Sequence, residues 1–197
     1  MSERDMERAS ADLALIRKMV DQSRTVRAET GHIYVFIGVL FVVAAIVDAA
    51  VGMRAPQLSW IGWPVAGIGA GLYSAIEGRR LAERRGHVGY APPVEGMAWI
   101  ATTLVLSVQV TLNIFVAGQP PQLLFPTIAV TLAIPLSVSS VLYRNAPLAA
   151  AAVIFVLVGV ATAFVGAPWQ QLGFAVAMIA GYIVPGILTI REHRAAT

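Results

Sequence analysis

The sequence predicts an all-α fold: a polytopic membrane bundle of six transmembrane helices, arranged as three antiparallel hairpins, with an amphipathic helix at the N-terminus. Three observations support this fold. The chain is 57% hydrophobic and 13% charged, whereas a soluble domain has about 25% charged residues. Six apolar stretches are each long enough to cross the roughly 30 Å hydrocarbon layer of a bilayer. A turn containing Gly, Pro and Gln-Leu recurs three times, and an arginine follows each turn after a span of helical length.

The N-terminal arm, residues 1–30, is predicted to be a cytoplasmic amphipathic helix. Its apolar residues recur at alternating spacings of three and four, which is typical of a heptad seam. The arm has six basic and six acidic residues, whereas a helix that binds anionic lipid is rich in Lys and Arg. We therefore expect Leu13, Ile16 and Val20 to dock on another protein helix or on the bundle's own loops. The alternative is a solvated leader that continues into the first span.

The transmembrane domain is predicted over residues 31–192 and is followed by a short cytoplasmic tail, 193–197. Because the turns within the hairpins are very short, consecutive helices must be antiparallel neighbours. Apart from Pro147, the first residue of span five, prolines within the spans occur only in the even-numbered ones, and a proline inside a helix usually kinks it. The spans are about 31–51, 58–77, 97–117, 123–143, 147–165 and 169–190, and the prolines are Pro64, Pro126, Pro135 and Pro185.

The basic residues predict the orientation of the bundle. Thirteen of the 14 Lys and Arg residues fall on the side of the N-terminus, and only Arg54 falls on the other side. Cytoplasmic loops of membrane proteins have an excess of Lys and Arg, so both termini are predicted to be cytoplasmic. The arginines flank apolar spans rather than cluster on a soluble face. Topology therefore explains the pI of about 9.7, and no nucleic-acid partner is predicted.

Small residues four positions apart predict where helices pack closely. The clearest example is the G-x-x-x-G of span two, which lies inside an apolar span with no strand before it, so it is not a nucleotide-binding loop. We expect such faces to pack against helices of this chain or of another subunit. The residues are Gly67 and Gly71 in span two, Gly159 and Ala163 in span five, and Ala177 and Gly181 in span six.

Two carboxylates lie near the ends of predicted spans. Asp48 is about one turn from the outer end of span one, where Arg54 is the only basic residue. This arrangement predicts either one interfacial ion pair or an entry site for a cation or proton. Glu77, at the inner end of span two, is predicted to pair with Arg79 and Arg80.

Neutral polar residues occur deeper in the predicted membrane. Gln109 and Asn113 are four residues apart and share a face of span three, where they either hydrogen-bond across helices or line a polar path. No catalytic residue, metal site or cofactor is predicted. The chain has no cysteine, no His/Asp/Glu spacing typical of a metal site, and no nucleophile with a nearby base.

The arm and the start of span one share a pattern with known sequences. The pattern is L-x-x-I-x-x-M-V-x-x-S-R, followed by a glycine and an aromatic-rich span. Its residues here are Leu13, Ile16, Met19, Val20, Ser23 and Arg24, then Gly31, Tyr34 and Phe36. This stretch resembles a family of uncharacterised bacterial six-span inner-membrane proteins that begin with a short cytoplasmic helix. The resemblance implies a multi-pass protein of the bacterial inner membrane and no particular activity.

Two classes of function agree with these patterns. The first is a non-catalytic accessory, scaffold or regulatory subunit of a membrane complex, with the lipid bilayer and a protein in the membrane or cytoplasm as partners. The second is a small-solute transporter or channel with a path lined by span three. The apolar interior and the small extent of the loops favour the first class, and the oligomeric state stays open.

Overall fold

The computed structural model describes residues 31–55, 58, 61–85, 91–112 and 123–196. Within these residues all regular structure is helical, with no strand. The helices are α1 (Gly31–Gly52), α2 (Gly62–Arg85), α3 (Ala91–Thr111), α4 (Leu124–Leu142), α5 (Ala146–Thr162), α6 (Trp169–Met178), a π turn (Ile179–Ile183) and α7 (Val184–Ala196). The predicted arm, with Leu13, Ile16 and Val20, lies outside the described residues.

Four helices are long and apolar enough to cross a membrane. They are Gly31–Gly52, Pro93–Thr111, Leu124–Leu142 and Trp169–Arg191, the last of which runs continuously through α6, the π turn and most of α7. α5 is apolar but has 17 residues, and α2 ends in a charged segment, E-G-R-R-L-A-E-R-R. The apolar spans that set the overall class of the fold are therefore present. The count of six spans stays a prediction.

The third helix begins six residues earlier than the sequence predicts. It starts at Ala91 rather than at residue 97, so Pro92, Pro93 and Glu95 belong to a helix and not to the predicted loop 78–96. Prolines in the first turn of a helix are tolerated, because the N–H groups there have no partner inside the helix. This shift brings an unexpected carboxylate into the bundle.

The prolines also differ from expectation. Pro64 and Pro126 lie in the first turns of α2 and α4 rather than in helix interiors, where they cause no kink. Pro135 is buried inside α4. Pro185 is the second residue after the π turn, and the N–H of Val184 between them donates to the carbonyl of Ile179. The π turn thus adjusts the backbone just before a residue that has no N–H to donate.

The buried core is made by four helical segments and excludes two helices. α1, α4, α5 and the Trp169–Arg191 span supply every fully buried member of the main hydrophobic cluster in the described part of the chain, including Leu136, Phe155, Met178 and Tyr182. α2 and α3 each contribute one partly buried residue to its edge, Trp63 and Trp99 respectively. We call α2 and α3 the peripheral helices and the other four segments the core helices.

Two backbone contacts each join the beginning of one helix to a late part of another. A Cβ on Gly31 would meet the carbonyl oxygen of Gly186 at 2.9 Å, so the start of α1 touches the Trp169–Arg191 span near its end. A Cβ on Gly159, late in α5, would meet the carbonyl oxygen of Pro126, early in α4, at 2.8 Å. The start of α1 and the end of α4 lie at one end of the bundle, because Tyr34 and Tyr143 both bond Glu95, and we call it the Tyr34 end. We call the opposite end, where α2 begins, the Trp63 end.

Candidate functional site

A carboxylate surrounded by hydroxyl groups joins three helices at the Tyr34 end. Glu95 of α3 accepts hydrogen bonds on Oε1 from Tyr34 of α1 at 3.0 Å and from Ser139 of α4 at 2.7 Å. Its Oε2 accepts a third hydrogen bond from Tyr143 at 2.6 Å. We call these four residues the Glu95 cluster. It ties a peripheral helix to two core helices.

The local sequence explains why these groups meet. Ser139 and Tyr143 are four residues apart and therefore lie on the same face of α4, and Tyr143 is the C-cap of that helix. The chain turns sharply after it: Arg144 has a φ of 47°, and the side chain of Asn145 caps α5 by accepting from the N–H of Leu148 at 3.4 Å. The cluster is thus built on a helix end that the next helix fixes in place.

Aromatic rings cover the cluster on the side of the core. Trp99, one helical turn after Glu95, contacts Tyr34 and Tyr182 edge to face, with ring centroids 6.5 and 6.1 Å apart. Tyr34 and Tyr182 lie 5.6 Å apart, which completes a triangle of rings. These contacts keep water from one side of the carboxylate, and a hydrogen bond is stronger where water is excluded.

The carboxylate of Glu95 has hydroxyl donors and no basic partner among the residues that the structure describes. The ion pairs found there within 4.0 Å involve Glu77 and not Glu95. The three hydroxyl donors occupy both oxygens of the carboxylate. The cluster therefore connects α3 to α1 and α4 through hydrogen bonds.

A second carboxylate has a different partner from the one that the sequence suggested. Asp48 is 6% exposed and accepts a hydrogen bond on Oδ2 from the indole N–H of Trp63 at 2.8 Å. Arg54 is exposed beyond the end of α1 and makes no ion pair with Asp48 within 4.0 Å. The reason is geometric. Asp48 shares the buried face of α1 with Ala44, Ala45 and Ala49, whereas Arg54 lies in the turn that follows the helix.

The ring of Trp63 extends this contact into the core. Its centroid lies 4.9 Å from that of Phe125 and 5.5 Å from that of Phe174. A carboxylate on a core helix thus orients an aromatic ring on a peripheral helix at the Trp63 end. The geometry is that of an anchor for α2, and the predicted cation or proton entry at Asp48 stays a prediction.

Glu77 lies where α1 and α2 meet at the Tyr34 end. Arg80 Nη1 lies 2.7 Å from Glu77 Oε1, which confirms one of the two predicted pairings. The structure adds a partner from α1, because His32 Nε2 lies 3.5 Å from Glu77 Oε2. His32 also contacts the ring of Tyr73 edge to face.

Of the three residues proposed for a polar path, Asp48 lies at the Trp63 end on the buried face of α1. Gln109 is half-buried on α3, and Asn113 lies outside the described residues. A cavity of about 10 Å³ beside the Glu95 cluster is lined by Tyr34, Tyr143 and Thr189, among others, which is room for about one water molecule. A groove of about 230 Å³ on α3 is shallow and lies on its outer surface, at Ser107, Val108, Thr111 and Leu112.

The predicted packing residues divide into two groups. A Cβ on Gly159 would meet Val130 at 2.7 Å, and a Cβ on Gly181 would meet Phe155 Cδ2 at 2.8 Å. Side chains of this chain therefore occupy the space beside both glycines. Ala177 is fully buried, and Ala163 is half-buried at the C-cap of α5. A Cβ on Gly67 or Gly71, in contrast, would meet no described atom within 4 Å.

Chemistry and comparison add no further assignment. Among the described residues no group of three or more His, Cys, Asp or Glu side chains could hold a metal ion. Comparison of the chain with protein-family models, with curated proteins and with solved structures finds no match in any of the three. The reading of function therefore rests on the chain's own geometry.

Proposed function

We propose that the chain is a six-span protein of the bacterial inner membrane, with three antiparallel hairpins and cytoplasmic termini, and that it acts as a non-catalytic accessory, scaffold or regulatory subunit of a membrane complex. Lipid surrounds it, and a membrane or cytoplasmic protein is its partner. Contacts between adjacent helices support the hairpins. In the first pair, the ring of Tyr73 stacks on that of Phe36 with centroids 4.0 Å apart, and Trp63 bonds Asp48.

One observation carries the functional part of the proposal. Side chains of this chain occupy the space beside Gly159 and Gly181 in the core helices. No described atom lies within 4 Å of a Cβ placed on Gly67 or Gly71 of the peripheral helix α2. Small residues in membrane helices allow close approach of another helix. Beside these glycines α2 exposes Ile68, at 64%, whereas Val65 and Leu72 are exposed on a different side of the helix. A helix of a partner protein fits this face.

The packed interior supports the same proposal over transport. The buried carboxylate of Asp48 and the partly buried one of Glu95 both accept hydrogen bonds from this chain, and the cavity beside the Glu95 cluster has room for about one water molecule. A transporter needs a solute site between its helices, commonly near the middle of the membrane. No observation among the described residues favours the transporter alternative.

The test is a pull-down of the tagged full-length protein in mild detergent from the organism that encodes it. Gly67→Leu with Gly71→Leu fills the open face, and the new side chains meet no described atom of this chain. Val65→Leu with Leu72→Ile changes the opposite side of α2 and is the matched control. A third variant lacks residues 1–28 and so removes the predicted docking residues of the arm.

We expect a stoichiometric partner that the parent and the Val65/Leu72 control retain. The Gly67/Gly71 variant should lose at least about 90% of it, because a loss of about 1.4 kcal/mol or more of packing in a helix pair weakens binding tenfold or more. Loss with the arm deletion would place a second contact in the cytoplasm. If the parent purifies alone, or the partner stays bound to both the Gly67/Gly71 and the arm variants, the proposal is wrong.

A further inference from the structure

α3 is far more exposed than the other membrane-length helices. Of the 18 most apolar consecutive residues of α3, only 6% are buried. The corresponding shares are 28% for Gly31–Gly52, 33% for Leu124–Leu142 and 50% for Trp169–Arg191. Large apolar side chains along it, such as Met97, Leu104 and Val108, are between 58% and 71% exposed. The helix therefore lies against the bundle without being enclosed by it.

The buried contacts of α3 lie between Glu95 and Thr102. Glu95 bonds three hydroxyl groups of the core helices, Trp99 packs on Tyr34 and Tyr182, and Thr102 is 6% exposed. From residue 103 to residue 112 no side chain is buried. These contacts hold α3 to the core helices at the Tyr34 end.

Hydroxyl groups in the second half of α3 bond within the helix itself. Thr103 donates to the carbonyl of Trp99 at 2.9 Å, Ser107 to that of Thr103 at 2.8 Å, and Thr111 to that of Ser107 at 2.8 Å. These donors are satisfied without a neighbouring helix, so α3 can leave the core without exposing unpaired hydroxyl groups. The core cluster, moreover, has no fully buried member from α3.

We propose that α3 is a latched helix: the Glu95 cluster holds it against the core, and opening of that cluster releases α3 as a unit while the core helices stay folded. The physical basis is an unequal distribution of stability. Segments with few buried apolar contacts open at lower free energy than the core, and here one carboxylate concentrates the attachment. Released α3 would uncover the Ser139 face of α4 and the adjoining ring of Tyr34.

Distances between spin labels on the full-length chain in lipid nanodiscs test the latch. The sequence has no cysteine, so Val108→Cys with Val153→Cys introduces the only two thiols. Both positions are more than half exposed, and they report the distance from α3 to the core helix α5. Ile134→Cys with Val153→Cys reports a distance between two core helices. Each pair is measured alone and together with Glu95→Ala, Glu95→Gln or Asp48→Asn.

In Glu95→Ala we expect a second, longer Val108–Val153 distance, with the released population raised at least about tenfold, because hydrogen bonds to a charged acceptor are among the strongest single contacts in a protein. Glu95→Gln should have a smaller effect, because one acceptor oxygen remains. The Ile134–Val153 distance should not change, and Asp48→Asn should leave α3 in place.

Two results would overturn the latch. An unchanged Val108–Val153 distance in Glu95→Ala would mean that the remaining contacts hold α3 by themselves. A simultaneous change in the Ile134–Val153 distance would mean that α3 and the core open together. Neither result depends on whether a partner binds α2, so the latch and the proposed function fail separately.

Discussion

The two peripheral helices are attached to the same core by opposite arrangements. For α2, the carboxylate belongs to the core: Asp48 of α1 accepts one hydrogen bond from Trp63, whose ring packs against Phe125 and Phe174. For α3, the carboxylate belongs to the peripheral helix, and Glu95 accepts three hydrogen bonds from the core. α2 is therefore held mainly by an aromatic contact, which one hydrogen bond orients. α3 is held mainly by hydrogen bonds.

The rest of each helix shows what this difference means. α2 contacts α1 along its length, because a Cβ on Gly62 would lie 3.7 Å from Ala44, and Tyr73 and Glu77 touch Phe36 and His32 respectively. α3 has its buried contacts in one half only. Loss of one polar bond should therefore loosen α2 at one end and leave its other contacts, whereas loss of the Glu95 carboxylate removes most of what holds α3.

The largest loss of stability should come from a substitution in the core, to which both peripheral helices are attached. Phe155 is fully buried and contacts Phe174 and Tyr182. Phe155→Ala should lower the free energy of unfolding by about 3–5 kcal/mol, from lost burial and the cavity that remains. The measurement is an unfolding titration in mixed detergent micelles. Phe164→Ala is the control, since that ring is 84% exposed. Equal effects of the two substitutions would contradict the assignment of the core.

The sequence predicts much of this core and little of its contacts. α1, α4 and the Trp169–Arg191 span lie within a few residues of their predicted bounds, because long apolar runs leave few alternatives. Arg54 was predicted as one possible partner of Asp48 because it is the only basic residue at that end of span one. In the structure α1 and α2 lie side by side in opposite directions, and Asp48 and Trp63 are about equally far from the turn near residue 55. They therefore lie level with each other.

Glu95 and the open face of α2 show why the remaining contacts were not predictable. Glu95 follows two prolines, a pattern that favours a loop, although the same prolines fit the first turn of a helix. Glu95 and Trp99 are four residues apart, and this helical spacing is the pattern that could have indicated a helix here. Gly67 and Gly159 look alike in sequence, because both lie in spans that are apolar on all sides. Which of them is filled depends on tertiary packing, and local sequence does not encode it.

An intermediate effect should come from the anchor of α2. Trp63→Phe keeps an aromatic ring between Phe125 and Phe174 but leaves the buried carboxylate of Asp48 without its donor. We expect a loss of about 1–3 kcal/mol, the usual penalty for an unsatisfied buried polar group. Trp169→Phe removes an indole that is 65% exposed and should have almost no effect in the same titration. If Asp48→Asn combined with Trp63→Phe is as stable as Asp48→Asn alone, the bond between the two side chains is the source of the loss.

The smallest effect should come from the ion pairs of Glu77, at the exposed edge where α1 meets α2. The Arg80 side chain is 64% exposed and that of His32 is 39% exposed, so water weakens both contacts with Glu77. Glu77→Gln should change the free energy of unfolding by less than about 1 kcal/mol, and Arg80→Gln, which removes only the neighbour on α2, is the matched variant. A loss in Glu77→Gln as large as that in Trp63→Phe would show that α2 is held by charge at the Tyr34 end. The inference that an aromatic contact anchors α2 while a carboxylate anchors α3 would then be wrong.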